Sequence, residues 1–371
     1  MRFSIKKWAD VLQIISGRNQ KEVLDPTGSY PIYGSGGIMG YANQYLCEAG
    51  TTVVGRKGTI DNPIFVNERF WNVDTAFGVS PGEQLNPRYL YFFCRHFNFK
   101  QLDKSTTIPS LAKRDLLSIE MPVPSLAEQK RIVEKVEELF SELDSGVETL
   151  KKTKQQLAVY RQAVYASVYT ENDMRPITDF FEISSGLTKN SKRNELPIKR
   201  PYLRVANVYY NKLDLSEIKS IGVNENEITK TTLKQDDLLF VEGNGSKEQI
   251  GRVAIWDGSI EGCLHQNHII KGRPLGQMLP QYALFYLISV YGRKQILEVA
   301  ASTSGLYTLS ANKVRNLRIP FLDSEKQKQC VSLIKERLSV CDSIEKTVDA
   351  ALQQAEAMRQ SILKKAFEGD L

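Results

Sequence analysis

Apolar residues recur every seven positions in two long stretches of the chain. In the first stretch, residues 125–172, two interleaved apolar rows consist of Ile132, Val136, Leu139, Leu143, Leu150, Leu157, Tyr160 and Val164. The second stretch, 323–371, keeps the same register with Ile334, Cys341, Ile344, Val348, Ala355, Met358 and Ile362. A seven-residue period is typical of helices that pack along a narrow seam. The pattern therefore predicts two long helices, with a weak point at Gly146 and Thr153 in the first.

Both predicted helices begin with a capping signal. Ser125-Leu-Ala-Glu128 fits a capping box, Ser324-Glu-Lys-Gln327 offers a similar start, and Gly369 after Lys364-Lys365 marks a stop. A helix of roughly 45 residues is about 65 Å long, so a small domain cannot bury its whole apolar stripe. We therefore expect the two helices to pair as an intramolecular antiparallel coiled coil. The alternative is that each helix packs separately on its own domain.

The chain also repeats itself outside the predicted helices. Three segments return in the same order: Trp8-Ala-Asp-Val-Leu-Gln-Ile-Ile-Ser-Gly17 as Ile177-Thr-Asp-Phe-Phe-Glu-Ile-Ser-Ser-Gly186, Ser110-Leu-Ala-Lys113 as Ser310-Ala-Asn-Lys313, and Arg161-Gln162 as Arg359-Gln360. Two similar units in one polypeptide predict a pseudo-twofold object with two similar working surfaces.

Outside the heptads the pattern changes to short strands and turns. Thr51–Gly55 and Gly251–Trp256 have the composition of strands, whereas Tyr89–Arg95 and Gln281–Ile288 have that of short amphipathic helices at matching places. We predict α/β (α+β) globular domains in two copies, separated by the two long helices. The predicted divisions are a first domain at 1–124, a helix at 125–172, a second domain at 173–322 and a helix at 323–371. The order of the strands cannot be derived from these short runs.

Charge and composition narrow the class of protein. The net charge of +6 lies on the two globular segments, while both helical segments have a slight acidic excess. This distribution favours a pair of domains that bind a polyanion, although a basic surface without a partner would have the same charge. The chain contains no run of about 18 apolar residues, so we expect no membrane span. The start of the chain lacks the apolar core of a signal peptide, and the five cysteines are scattered, so we expect reduced thiols in the cytoplasm.

Several short motifs, spread over the whole chain, carry a family resemblance. In the first half they are Tyr33-Gly-Ser-Gly-Gly-Ile-Met-Gly-Tyr41, Gly55-Arg-Lys-Gly58, Trp71-Asn-Val-Asp-Thr-Ala-Phe77 and Pro124-Ser-Leu-Ala-Glu-Gln-Lys130. In the second half they are Tyr202-Leu-Arg-Val-Ala-Asn-Val208, Asp237-Leu-Leu-Phe-Val-Glu-Gly-Asn-Gly245, Gly262-Cys-Leu-His-Gln-Asn-His268 and Ser304-Gly-Leu-Tyr-Thr-Leu-Ser310. With these motifs in this order, the chain resembles the specificity subunit of type I restriction-modification enzymes. One departure is that the second helix opens with Asp323-Ser-Glu-Lys-Gln327 and lacks the fuller Pro-x-x-Glu-Gln form of the first.

The resemblance implies a non-catalytic reader of double-stranded DNA. Each globular domain would be a target-recognition domain for one half of an asymmetric, split site, and the helices would set the gap between the halves. The helices would also bind two adenine-methylating modification subunits, which restriction (translocase-nuclease) subunits join. S-adenosylmethionine, ATP and magnesium would belong to those partners, with no cofactor in this chain.

Base edges and phosphates are contacted by basic, amide and hydroxyl side chains on loops. In the first domain the candidates are Arg18, Lys21, Arg56, Lys57, Lys104, Ser105 and Thr106. In the second domain they are Lys189, Lys192, Arg193, Asn244, Ser246, Lys247, Gln266, Asn267, Ser302, Thr303 and Tyr307. Each of them could equally be an ordinary solvated turn residue.

Catalytic interpretations find weak support. Asn62-Pro-Ile-Phe65 resembles the tetrapeptide of amino-methyltransferases, but Ile64 stands where that motif has proline, so a turn followed by a strand is expected. Gly50–Lys57 is an incomplete phosphate loop because Gly58 replaces the Ser or Thr that would coordinate magnesium. Cys263, His265 and His268 fall short of a four-ligand zinc set, and we expect no metal. Two other hypotheses remain: a stand-alone DNA methyltransferase, and a coiled-coil protein scaffold that does not bind DNA.

Overall fold

The computed structural model describes residues 3–167, 169, 173–243, 249–301 and 307–371. It divides into two compact units, which consist of Met1–Lys152 with Val348–Leu371 (unit 1) and of Thr153–Thr347 (unit 2). The division crosses both long helices, so each unit contains one globular domain together with segments of both helices.

Unit 1 is built from short strands around a buried central strand. Its elements are β1 (Ile5–Lys7), α1 (Trp8–Val11), β2 (Leu12–Ser16), β3 (Tyr30–Gly34), β4 (Gly37–Ala42), β5 (Thr51–Gly55), β6 (Ile64–Val66), β7 (Trp71–Asn72), β8 (Ala76–Pro81), α2 (Pro87–His96), α3 (Lys113–Leu117), β9 (Glu120–Pro122) and the first part of α4 (Leu126–Ser167). An antiparallel sheet has the order β2-β8-β5-β6, and a second sheet has the order β4-β3-β7, in which β3 and β7 are parallel. Strands β1 and β9 form a separate antiparallel pair.

Unit 2 repeats this plan with additions. Its elements are the last part of α4, β10 (Met174–Pro176), β11 (Phe181–Ser185), β12 (Ile198–Leu203), β13 (Val208–Tyr209), β14 (Lys212–Leu213), β15 (Lys219–Val223), α5 (Glu225–Thr231), β16 (Leu238–Val241), β17 (Val253–Ile255), β18 (Leu264–His265), β19 (Ile269–Pro274), α6 (Pro280–Ile288), α7 (Val290–Ala300), α8 (Ala311–Arg315), β20 (Arg318–Pro320) and the first part of α9 (Ser324–Glu368), whose last part belongs to unit 1. Its sheets have the orders β11-β19-β16-β17, β15-β12-β18 and β10-β20, which match the three sheets of unit 1 strand for strand. The hairpin β13-β14 and the helices α5 and α7 are additions that the described part of unit 1 lacks. The predicted fold class and the predicted duplication are confirmed.

The predicted local elements agree with the structure. Thr51–Gly55 is β5, and the short helices expected at matching places are α2 and α6. Helix α2 begins where it does because the side chain of Asn86 accepts hydrogen bonds from the backbone N–H groups of Arg88 and Tyr89, with Pro87 at the first helical position. Asn62-Pro63 precedes β6, as the turn-and-strand interpretation predicts.

The long helices contribute to the core of each unit. In unit 1, Val136 of α4 and Leu363 of α9 are fully buried in the same cluster as Trp8 and Leu90. In unit 2, Tyr165 of α4 and Ile334 of α9 join the cluster around Phe285. Each globular core is therefore completed by the start of one long helix and the end of the other.

The two helices run antiparallel in each unit. In unit 1, Arg131 donates to the backbone oxygen of Leu371, while Asp144 pairs with Arg359 further along. In unit 2, Arg161 binds Asp342 at 2.7 Å. Arg161 and Arg359 are equivalent residues of the repeat, and so are Asp144 and Asp342, so one ion pair occurs twice.

The expected seam residues differ in burial. Ile132, Val136, Leu157, Val164, Ile334, Cys341, Val348 and Ala355 are buried, and Leu139, Leu143, Leu150 and Ile362 are half-buried. Tyr160, Ile344 and Met358 are 48%, 40% and 46% exposed, which corrects the expectation that they lie inside the seam. A helix has 3.6 residues per turn and drifts away from a strict seven-residue period. Neighbouring positions such as Phe140, Leu338 and Leu363 are buried in addition.

The helix ends also correct the sequence analysis in detail. The Ser125 hydroxyl accepts from the N–H of Glu128, as predicted. At α9 the cap is Asp323, whose carboxylate accepts from the N–H of Lys326, so it lies one residue before the predicted Ser324. Helix α4 is described to Ser167, and the predicted segment continued to 172. Gly369 ends α9 with a φ of 87°, as expected for a left-handed stop.

Candidate nucleic-acid interface

In unit 1 the candidate loops meet around the turn that joins β7 to β8. The N–H of Arg18 donates to the oxygen of Asn72 at 3.0 Å. The N–H groups of Arg56 and Lys57 donate to the oxygen of Thr75 at 2.8 and 3.2 Å. The loop at 104–110 joins them through Gly58, whose N–H donates to the oxygen of Pro109 at 2.9 Å. Three segments that are far apart in sequence thus form one surface, which we call the loop cluster of unit 1.

The repeated Ser-Gly dipeptide explains how the first of these loops approaches so closely. A Cβ at Gly17 would lie 1.8 Å from the backbone oxygen of Val73, and one at Gly186 would lie 2.1 Å from that of His265. Only glycine permits this backbone contact. The dipeptide recurs because both units need the same junction between the end of β2 or β11 and the turn before β8 or β19.

The basic side chains of the unit 1 loop cluster differ in exposure. Arg18 and Lys57 are exposed, and Arg56 is half-buried with its guanidinium 5.7 Å from the centre of the Phe77 ring. Arg56 and Lys57 border a cleft of about 340 Å³ that Ser16, Ser110 and Lys113 also line. The cleft therefore has a cationic rim on a backbone held by glycines.

The remaining unit 1 candidates lie at the edge of this cluster. Lys104 is exposed and pairs with Asp115 at 2.9 Å. Asp103 accepts from the hydroxyl and the N–H of Ser105, and these hydrogen bonds lower the pKa of the Asp103 carboxyl. Thr106 is exposed. Lys21 is exposed in a turn where its N–H donates to the Asn19 side chain, apart from the hydrogen bonds that join the other loops.

Unit 2 forms the equivalent cluster around the turn that joins β18 to β19. Leu187 donates its N–H to the oxygen of His265 and accepts from the N–H of Asn267, both at 2.9 Å. The N–H of Glu242 donates to the oxygen of His268 at 2.9 Å. Gln266 and Asn267 are half-buried within this turn, and Lys189 and Lys192 are exposed beyond Leu187.

One buried polar side chain supports the central turn in each unit. In unit 1 the Asn72 amide donates to the backbone oxygens of Ile15 and Ala76. In unit 2 the equivalent residue is His265, whose Nδ1 lies 2.8 Å from the oxygen of Ile269. Burial lowers the pKa of His265 to about 4, so the ring is neutral at pH 7 and Nδ1 donates to that oxygen. His265 thus has a structural role in the turn. Within the described residues, no three His, Cys, Asp or Glu side chains are grouped to hold a metal ion.

The structure corrects the expectation for Arg193. Its guanidinium donates to the oxygens of Thr188 and Gly222 and to both carboxylate oxygens of Glu227, and its side chain is 11% exposed. These bonds tie the 191–195 turn to β15 and α5. Arg193 therefore belongs to the fold of unit 2 and is removed from the candidate DNA contacts.

Some of the unit 2 candidates cannot be placed. Asn244, Ser246, Lys247, Ser302 and Thr303 lie outside the described residues. Tyr307 is described: it is half-buried and forms an isolated bridge with Ala301. It is the first residue after the candidates Ser302 and Thr303 that the structure describes.

Glu242 and His268 were missed by the sequence analysis, although they lie at the centre of the unit 2 cluster. The carboxylate of Glu242 is 2.8 Å from Nδ1 of His268. The signal was present in the repeat, because Glu242 follows β16 as Arg56 follows β5. A surface that binds a polyanion is expected to carry basic residues, so composition gives no reason to expect a glutamate there.

Comparison with known proteins identifies the class. The family profile described as type I restriction modification DNA specificity domain matches residues 2–157 and again residues 169–354. The specificity subunit of the type I restriction enzyme EcoKI of Escherichia coli K12 is 28% identical over 331 residues, covering 80% of this chain and 69% of the relative. The StySPI specificity subunit of Salmonella potsdam is 26% identical over 315 residues, with 78% and 67% covered.

Solved structures share the fold. A chain from work on the complex assembly and conformational transition of the type I R-M system superposes with a TM-score of 0.76 at 15% identity, covering 100% of this chain and 98% of that one. The HsdS subunit from Thermoanaerobacter tengcongensis gives a TM-score of 0.53 at 16% identity, with 100% and 97% covered.

The chain belongs to the family of type I restriction-modification DNA specificity proteins. It is a specificity subunit with two DNA-recognition domains, a non-catalytic component and not a stand-alone methyltransferase. In the described part of the chain, none of the helices combines the length and hydropathy needed to span a bilayer.

Proposed function

We propose that this subunit reads a bipartite, asymmetric DNA site, with unit 1 on one half and unit 2 on the other. The observation that carries the proposal is that the two units share one scaffold but present different loops. The sheets match strand for strand, whereas β13-β14, α5 and α7 have no counterpart among the described residues of unit 1. A shared scaffold with different loops gives two specificities on one frame. The two long helices set the distance between the half-sites.

The loop clusters are the proposed DNA surfaces. Arg18 and Lys57 in unit 1 are exposed cations whose backbone N–H groups bind the central turn, and Lys189 and Lys192 in unit 2 are exposed cations that follow Leu187 in the chain. Exposed lysines and arginines on loops neutralise phosphates, and the residues at the centre of each cluster are then placed against base edges.

The catalytic steps are assigned to partners. The chain acts with two adenine-methylating modification subunits and with restriction subunits, and it directs both activities to its site. S-adenosylmethionine, ATP and magnesium belong to those subunits. The shared fold with a chain studied in the assembly of the type I R-M system supports the proposal that partner subunits carry out the catalytic steps.

Competition binding tests the proposal. The full chain is assembled with its modification subunits and offered labelled genomic fragments against excess random DNA. We expect retention of a defined subset of fragments, and log-log plots of affinity against salt with a clearly negative slope. A Lys57→Ala variant should flatten that slope, while Lys130→Ala, an exposed lysine on α4, should not.

Two outcomes would contradict the proposal. Equal retention of all fragments, or binding of none, would favour the protein scaffold. Methyl transfer by this chain alone would show that the proposal assigns the chemistry to the wrong subunits.

A further inference from the structure

One position in the two loop clusters has opposite charge. Arg56 directly follows β5 and Glu242 directly follows β16. Their backbones make the same bonds: the N–H of Arg56 donates to Thr75 and that of Glu242 to His268, at 2.8 and 2.9 Å. The backbone oxygens of Arg56 and Glu242 accept from the N–H groups of Leu111 and Leu309, at 2.9 and 2.7 Å respectively. The two residues are therefore equivalent, although their side chains carry a guanidinium and a carboxylate.

The carboxylate of Glu242 is oriented by a neighbour. Nδ1 of His268 donates to Oε2 of Glu242 at 2.8 Å, and the two side chains are 52% and 30% exposed for His268 and Glu242. His268 lies in the same turn as Gln266 and Asn267. The acidic group is thus accessible, held in one direction, and placed at the centre of the cluster.

A carboxylate is chemically unsuited to a phosphate contact, because like charges repel. On a DNA surface it is suited to accept a hydrogen bond from a base amino group, and in the major groove glutamate pairs with the N4 amino group of cytosine. A guanidinium at the equivalent place pairs with O6 and N7 of guanine. The charge reversal therefore corresponds to a change in the base that is read.

We propose that the residue directly after β5 in unit 1 and β16 in unit 2 is a specificity-determining position. At this position Glu242 reads a cytosine amino group and Arg56 reads guanine. His268 is a positioning residue that holds Oε2, so that Oε1 receives the amino group. The inference rests on the proposed function and deepens it by naming the base chemistry of each half-site.

The test uses the chain assembled with its modification subunits. The DNA sequence that the unaltered complex methylates is determined first. Methylation rates are then measured on that DNA site and on all its single-base variants. Glu242→Gln should reduce the rate on the original site by about tenfold or more and should change the preference at one base pair only. Arg56→Ala should relax the preference at one base pair of the other half. Glu261→Gln, an exposed glutamate of unit 2, is the matched control and should leave the profile unchanged.

His268 is tested separately. His268→Ala should weaken methylation of the original site by raising KM while the preferred base stays the same, and His268→Gln, which keeps a donor, should recover part of the loss. Melting temperatures of all variants exclude unfolding as the cause.

The outcomes separate this inference from the proposed function. A complex that methylates a defined bipartite site, with an unchanged preference in Glu242→Gln, overturns the role of Glu242 alone. If Arg56→Ala and Glu242→Gln change the base preference in the same half of the site, the two residues do not have equivalent roles and the inference is overturned. An unaltered complex with no defined site overturns both the proposed function and this inference.

Discussion

Gln129 and Gln327 occupy the same position near the start of α4 and α9, and their buried side-chain amides make the same hydrogen bonds. The oxygen of Gln129 accepts from the N–H of Asn86 at 2.8 Å, and that of Gln327 accepts from the N–H of Leu279 at 2.7 Å. Their amide nitrogens donate to two backbone oxygens each. In both units this amide fastens the start of a long helix to the segment that leads into α2 or α6.

Replacing these glutamines should destabilise the unit that each of them fastens. Gln129→Leu leaves a part-buried N–H and two part-buried oxygens without their partner, so we expect a loss of about 1–3 kcal/mol in the free energy of unfolding. Urea denaturation of the full chain measures this loss. Gln155→Leu, at an exposed position of α4, is the control and should change the value by no more than about 0.5 kcal/mol. Equal stability of the two variants would show that the amide is not needed.

His265 should make the stability of unit 2 depend on pH. Its pKa is lowered from 6.5 to about 4 in the folded state, because burial disfavours the charged ring. Below pH about 6.5 the unfolded chain takes up a proton that the folded chain does not, so stability falls as the pH drops towards 4. The expected loss between pH 7 and pH 5 is about 2 kcal/mol.

The variant His265→Asn, which copies Asn72 of unit 1, provides the control for this prediction. Between pH 7 and pH 5 the free energy of unfolding of this variant should fall by about 2 kcal/mol less than that of the unaltered chain, whatever its value at pH 7. Parallel curves for the two proteins between pH 7 and 5 would mean that His265 is solvated in the folded chain.

Gly146 should be replaceable with a gain in stability. It lies within α4, and an added Cβ would meet no atom within 4 Å. A groove of about 410 Å³ beside it is lined by Leu143, Leu150 and Met358, among others. Gly146→Ala should raise the free energy of unfolding by about 1 kcal/mol, because alanine favours the helix. Differential scanning calorimetry of the full chain should show a higher melting temperature, and a lower one would indicate that the helix needs glycine here.

Arg193 and Lys192 are adjacent but should respond in opposite ways. Arg193→Ala removes the bonds to Glu227 and Gly222, so we expect a loss of about 1–3 kcal/mol in stability with an unchanged salt dependence of DNA binding. Lys192→Ala should leave stability unchanged and reduce the salt slope by about 0.9 if the lysine binds one phosphate. Urea denaturation and salt titration of the assembled complex measure the two quantities. A flatter slope for Arg193→Ala would return that residue to the DNA surface.

The sequence predicted the features that depend on long-range regularity. The heptads gave both helices and their pairing, since an apolar stripe such as Val136 to Val164 is repeated in register. Strand order was beyond prediction because strands such as β7 and β18 have two residues each and carry no period. The helix caps were predicted to within one residue, since Asp and Ser serve equally well at Asp323 and Ser324.

The candidate site was predicted in part. The repeat located the Ser-Gly junctions, and the glycines around Arg56 indicated a loop that a ligand can approach. The role of Arg193 depends on its packing against Glu227, 34 residues away, which no local pattern reveals. Glu242 was not predicted, because a basic composition indicates phosphate contacts and carries no signal for a carboxylate on the same surface.

Sequencing of methylated adenines tests the central claim most directly. A host without other adenine methyltransferases carries this chain with its modification subunits, and every methylated position in the genome is mapped. We expect one motif made of two different defined parts separated by a fixed number of unspecified bases. A continuous or palindromic motif, or methylation with no motif, would contradict it.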